Sequence, residues 1–306
     1  MIAEYSTQQL SQALGFLPRH LKAVVEALPA GTRAETEEIR LRGGRPMTVV
    51  AKGAELPTGA MVSGEDLALT LEIASQSSAY AAVEQVRHGF ITVRGGHRIG
   101  LCGTGVVKEG EVLNIRQLSS LSLRVAREIH GLGAPLLRGM QSGGQLQSTL
   151  ILSPPGGGKT TLLRDLIYTI SEGRGISPLR VGVADERGEL CGMYAGVPQM
   201  GVGLRTDVMD GCPKAQGMLM LLRGMNPQVL AVDEITSAED VKAILTAHGC
   251  GVILLSSAHA RGIGDMQSRP LYRKLLREGV FRRFITIEQC GADREYKIFD
   301  AEGTPC

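Results

Sequence analysis

A chain of 306 residues is long for one globular core and sufficient for two. Hydrophobic residues at 43% and charged residues at 21% exclude a disordered or fibrous chain, and a formal net charge of +2 supplies no general attraction for nucleic acid. Six cysteines without a CxxC pair, no basic-then-apolar start and no apolar run of the ~18 residues that a membrane span needs argue against zinc, disulfides, a leader or a membrane helix, and favour a reducing cytoplasm.

Along the chain, residues 8–28 and 64–76 read as helical. Runs at 46–51, 89–93, 97–102 and 121–125, set between glycine pairs, predict strands. Together they predict a small α+β domain over residues 1–135. Residues 131–147 carry five glycines and one proline with little periodicity, and the domain connection is expected there. In the second half, residues 136–306, short apolar runs at 149–152, 181–184, 229–232 and 251–255 predict strands of a parallel sheet covered on both faces. Between the first two, residues 159–170 place Leu162, Leu163, Leu166, Ile167 and Ile170 on one helical face. Ser237 with Asp240 three residues on reads as a capping box opening another helix.

Ser153-Pro154-Pro155-Gly156-Gly157-Gly158-Lys159-Thr160 lies between a predicted strand and a predicted helix, the context a phosphate-binding loop requires. Consecutive glycines let successive N–H groups turn toward a β-phosphate. Lys159 would pair with the β- and γ-phosphates of ATP, Thr160 would ligate Mg²⁺, and Thr161 would reach the α-phosphate. The usual pattern has glycine where this chain has Ser153, so some backbone strain is expected there.

Hydrolysis also needs a carboxylate for the metal and a group that orients water. The apolar run at 229–232 ends in Asp233-Glu234, which supplies both: Asp233 for the Mg²⁺ shell and Glu234 for the water. A second acidic strand end, Asp185-Glu186, is a candidate to face the nucleotide, since ligands gather at the carboxyl ends of parallel strands. Downstream of 251–255, Ser256, Ser257 or His259 would contact the γ-phosphate.

These four stations, in this order, resemble the secretion-type ATPases of type II and type IV secretion and of pili. Asp185-Glu186-Arg187-Gly188-Glu189-Leu190 is similar to their acidic box, and Ser257-Ala258-His259-Ala260 to their histidine box. Further segments are similar to the stage III sporulation AA branch: Glu38-Ile39-Arg40-Leu41-Arg42, His88-Gly89-Phe90-Ile91-Thr92, Gly95 through Gly100, Ser122 through Ala126, Gly196-Val197-Pro198-Gln199, Leu204 through Val208, and Cys212-Pro213-Lys214. The resemblance implies a RecA-like P-loop core with a smaller α+β N-terminal domain. It also implies a homohexameric ATPase in the cytoplasm of the mother cell, peripheral to the membrane, serving channel proteins of the sporulation apparatus. In this frame Glu186 and His259 join Lys159 and Glu234 as catalytic candidates. Arg94, Arg98 and Arg124 become candidates to stabilise transition-state charge from a neighbouring domain or subunit.

Two other classes stay in view. A nucleic-acid-stimulated motor would share the fold, but only 4% of the chain is aromatic, which offers few stacking platforms, and no nucleic acid is expected as a partner. A nucleotide-gated scaffold with little turnover is the other, motivated by Ser153. The basic stretch 269–283 reads as a solvated helix face or a subunit contact.

Overall fold

The computed structural model describes residues 2–75, 89–290 and 293–306. Gln76, the last residue of an expected helix, and His88, the first of a family-like segment, lie outside them. The chain divides into two compact units: residues 1–127 with 192–199, and residues 128–191 with 200–306.

In the first unit, helices α1 (Ile2–Ala13), α2 (Arg19–Glu26) and α3 (Ala30–Glu35) lead into strands β1 (Thr36–Arg42), β2 (Pro46–Ala51) and β3 (Ala54–Met61). Helix α4 (Gly64–Ser75) follows, then β4 (Phe90–Thr92), β5 (Arg98–Lys108) and β6 (Glu111–Arg124). The six strands form one antiparallel sheet in the order β3-β2-β1-β6-β5-β4. Period-two alternation decides its faces. Ile39, Leu41, Val49, Ile99, Leu101, Leu121 and Leu123 are buried with Leu17 and Leu21 from the start of the chain and Leu67 from α4. Glu38, Arg40 and Arg42 alternate with the buried residues of β1 and take the other face.

The β5–β6 hairpin is longer than the expected strands at 97–102 and 121–125. Its glycines read as turns in the sequence, yet Gly103 sits in the strand beside a bulge. A Cβ there would lie 2.7 Å from the Arg116 carbonyl oxygen, so only glycine permits the close approach of the two strands.

In the second unit a short hairpin, β7 (Gln141–Ser142) and β8 (Gln145–Leu146), precedes β9 (Thr149–Ser153) and helix α5 (Lys159–Glu172). Then come β10 (Val181–Asp185), β11 (Thr206–Asp210), α6 (Lys214–Gly224), β12 (Val229–Val232) and α7 (Ala238–Gly249). The chain ends with β13 (Ile253–His259), α8 (Ile263–Ser268), α9 (Pro270–Arg277), β14 (Arg283–Cys290) and β15 (Asp293–Asp300). The sheet order is β11-β10-β12-β13-β9-β14-β15, parallel from β11 to β14 and antiparallel at β15. Every residue of β9, β10 and β12 is buried, as continuous apolar strands in a covered sheet should be.

All five apolar positions anticipated on α5 are fully buried, each contributing about 1.5–3 kcal/mol. Gly173, left-handed at φ +77°, ends that helix two residues beyond its expected limit. The Ser237–Asp240 capping box opens α7 with both reciprocal hydrogen bonds in place. Residues 131–147, expected as a connection, are part of the second unit: the N–H groups of Gly131 and Gly133 donate to the Asp165 carboxylate on α5. In α9 the basic residues Arg273, Lys274 and Arg277 are exposed, while Tyr272 and Leu275 are buried.

Candidate functional site

Register places the site. β9 lies between β13 and β14, and His259 pairs with Ser153, so the end of β13 stands beside the start of the glycine-rich loop. β12 is the next strand over, with Val232 paired to Ser256, which sets Asp233 beside Ser257. The loop, the acidic pair and the histidine run therefore meet at the carboxyl ends of adjacent parallel strands, where an open α/β sheet leaves room for a ligand.

The loop has the shape that its sequence anticipates. Gly156 and Gly158 take left-handed φ values of +75° and +97°, and Gly158 immediately precedes α5. Ser153 closes β9 and is absent from the left-handed residues, so the strain expected of a non-glycine there does not appear in φ. Its side chain instead leans over Gly157: a Cβ on Gly157 would fall 1.7 Å from Ser153 Oγ. A side chain at position 157 would therefore require the Ser153 hydroxyl to turn away.

Lys159, nearly buried, donates from Nζ to the Ser153 and Pro154 carbonyl oxygens, both at 3.1 Å. Its ammonium also lies 2.7 Å from His259 Nδ1. An ammonium has no acceptor, so Nδ1 accepts and the imidazole hydrogen sits on Nε2. Nε2 then donates to Glu234 Oε1 at 2.9 Å. Burial lowers the Lys159 pKa, and the charges of Asp233 and Glu234 oppose that shift.

Thr160 Oγ donates to Asp233 Oδ2 at 2.8 Å, and Ser257 Oγ donates to Asp233 Oδ1 at 2.5 Å. Ser257 Oγ also accepts the Glu234 N–H at 3.0 Å, while Ser256 donates to the Val232 carbonyl at 2.8 Å. These bonds explain why β13 continues through 256–259, beyond its expected apolar end: the two buried serines have their hydroxyls satisfied within the sheet. A cleft of about 450 Å³ opens over the loop, lined by Lys159, Thr160, Thr161, Asp233, Glu234 and His259, with Pro155, Gly156, Gly158, Glu189 and Arg294. Pro154 lines the neighbouring cavity with Ser153 and Gly157.

These groups fit a magnesium nucleotide. The cradle around Gly157 admits no side chain, and Thr160 Oγ with Asp233 offers the hard oxygen donors that Mg²⁺ takes alongside phosphate oxygens. Among the described residues no group of three or more His, Cys, Asp or Glu could cage a metal, and such a site needs none.

The acidic box divides. Asp185 is buried, accepts N–H bonds from Glu189, Leu190 and Cys191 and so organises the loop that follows, and it borders the small cavity that adjoins the cleft. Burial raises its pKa and those backbone bonds pull it back. Glu186 is exposed and lines a small adjoining cavity of about 30 Å³ with Lys214, Asp233 and Glu234. The box member that borders the cleft is Glu189.

The candidate arginines belong to the first unit. Arg98 packs its guanidinium 3.8 Å over the Phe90 ring and pairs in register with Arg124. Arg124 Nε lies 3.7 Å from Glu38 Oε2, and Arg94 is exposed. Two cleft-side cations escaped the sequence reading. Arg294 on β15 lies against the loop, 3.1 Å from where a Gly158 Cβ would stand, with no local pattern to mark it. Lys214 bonds the backbone behind Glu234; the one signal for it is its place in Cys212-Pro213-Lys214.

A glycine-rich loop at the end of a central parallel strand, faced by Asp-Glu and a strand-end histidine, defines a RecA-like P-loop core. The ATPase DotB of Legionella pneumophila superposes with a TM-score of 0.60 at 17% identity, covering 93% of this chain and 81% of that one. The pilus retraction motor PilT superposes with a TM-score of 0.60 at 15% identity, covering 91% and 80%. The chain belongs to the family described as sporulation stage III, protein AA, whose profile matches residues 8–305. Stage III sporulation protein AA of Bacillus subtilis (strain 168) is 38% identical over 289 residues, 94% of each chain.

Proposed function

We propose that this protein binds MgATP on the loop from Ser153 to Thr160 and hydrolyses it. The observation that carries the reading is the chain of contacts Lys159–His259–Glu234 beside the Thr160–Asp233 pair. Lys159 exchanges His259 for phosphate oxygens, and Thr161 binds toward the α-phosphate. Thr160 and Asp233 would hold Mg²⁺, which would supply neutralisation of phosphate charge. Glu234, released from His259, orients and polarises the attacking water, and His259 with Ser257 reports the γ-phosphate. Glu186 supports Glu234 from the adjoining cavity.

The proposal extends to a motor. Family membership and the likeness to secretion ATPases support a homohexamer that energises a mother-cell-to-forespore channel, with channel proteins of the sporulation apparatus as partners. Among the described residues no helix is long and apolar enough to cross a membrane, which fits a peripheral place on the cytoplasmic, mother-cell side. The core is the second compact unit, residues 128–191 with 200–306, and the N-terminal domain the first, residues 1–127 with 192–199. Arg98 and Arg124, with Arg94, act on the nucleotide of a neighbouring copy.

Phosphate release by the wild type, Lys159→Ala and Glu234→Gln tests the chemistry. Both variants are expected to lose about 100-fold or more in turnover while Glu234→Gln still binds ATP. A wild type no faster than Lys159→Ala sinks the hydrolase reading. A strict monomer in sedimentation with and without ATP sinks the ring.

A further inference from the structure

Lys214 lies outside the loop, the acidic strand ends and the histidine run, yet its side chain, 12% exposed, turns into the backbone that carries Glu234. Its ammonium lies 3.4 Å from the Asp233 carbonyl oxygen and makes a short hydrogen bond to the Glu234 carbonyl. The nearest carboxylate oxygen, Asp240 Oδ2, stands 3.7 Å away and balances the charge.

The two carbonyls need such a partner. The β12–β13 ladder ends at Val232 and Ser256, so the strand supplies these carbonyls no N–H donor beyond that point. The chain turns sharply there: Glu234 has φ +45°, in the left-handed region that residues with a Cβ seldom adopt. Its N–H is held by Ser257 Oγ, and the next N–H, of Ile235, by the Ser257 carbonyl. Ser257 thus fixes the donor side of the turn and Lys214 the carbonyl side. The Lys214 backbone N–H points separately at Glu186 Oε2, 3.4 Å away, and a side-chain substitution leaves that contact its donor.

We propose that Lys214 is a positioning residue, clamping Glu234 in its left-handed turn so that the carboxylate is aimed into the cleft. This rests on the reading of Glu234 as the water-orienting group. The ammonium suits the task because a point charge with three rotatable donors can serve two carbonyls at once. Removing it frees the turn without touching any group that would contact phosphate.

The test uses the full chain with Lys214→Met and Lys214→Arg. Lys214→Met is expected to lower kcat at least about tenfold while the ATP Kd stays within about threefold, with Lys214→Arg recovering part of the loss. Hydrogen exchange at the Glu234 and Ile235 amides is expected to rise at least about tenfold in Lys214→Met, with α5 unchanged. Unaltered turnover, or parallel loss of binding and turnover with a lowered melting temperature, overturns the clamp. If the wild type releases no phosphate, the hydrolase reading fails by itself; unchanged exchange at 234 and 235 then overturns the clamp, and increased exchange upholds it.

Discussion

His259 stands between Lys159 and Glu234, its Nδ1 2.7 Å from the lysine ammonium and its Nε2 2.9 Å from the glutamate carboxylate. One imidazole therefore occupies both the group proposed to bind phosphate and the group proposed to orient water. A phosphate that draws Lys159 away also removes the donor that fixes the His259 tautomer, which couples the two ends of the chain.

His259→Ala should separate those ends. Lys159 keeps two carbonyl acceptors, so ATP affinity is expected to stay within about threefold. Glu234 loses the imidazole that holds its carboxylate, and kcat is expected to fall about tenfold to a hundredfold. Isothermal titration of ATP beside steady-state phosphate release reads both. An affinity loss as large as the turnover loss contradicts the coupling.

The contact of Ser153 with Gly157 predicts a rescue. Gly157→Ala places a methyl 1.7 Å from Ser153 Oγ and should cost about 1–3 kcal/mol of stability and abolish ATP binding. Adding Ser153→Gly removes the oxygen in the way and should restore part of the binding, although the Pro154 carbonyl oxygen, 3.1 Å from the new methyl, stays close. Ser153→Gly alone should keep turnover within about threefold, because the serine backbone is already extended. Thermal melts and nucleotide titrations of the three variants decide it.

His97 predicts a pH dependence in the first unit. It is fully buried, its Nδ1 accepts the Ala126 N–H at 3.0 Å, and burial lowers its pKa to about 4 from 6.5. The folded value lies below the unfolded one, so the unfolded chain binds the proton first as pH falls. Stability from this residue is complete above pH 6.5 and drains away as pH drops toward 4, by on the order of 3 kcal/mol in all. Urea midpoints measured from pH 8 to pH 4.5 should show the fall. His97→Asn, whose side-chain oxygen can still accept the Ala126 N–H, should flatten it.

Much of the candidate site was legible in the sequence because its parts are local. A loop of three glycines before Lys159, the strand 229–232 ending in Asp233-Glu234, and the helix face from Leu162 to Ile170 each follow from spacing within a dozen residues. The Ser237 capping box is of the same kind. The conserved hand of short-range rules, a glycine for a left-handed turn or an apolar run for a covered strand, needs no partner from elsewhere in the chain.

What only the tertiary structure decided depends on sheet order and register. Asp185 and Asp233 both follow apolar strands, yet one carboxylate closes on its own loop and the other meets Thr160, a difference no strand-end pattern encodes. The addition of β14 and β15 brings Arg294 to Gly158 across more than a hundred residues, and the turn after β12 exposes two carbonyls that Lys214 satisfies. Return of residues 192–199 to the first unit, where Gln199 accepts the Gly95 N–H, has the same origin. The sequence by itself determined where the glycine-rich loop and the strands fall; long-range pairing decided which side chains meet, because hydrogen bonds and buried charges are satisfied by neighbours in space and not by neighbours in the chain.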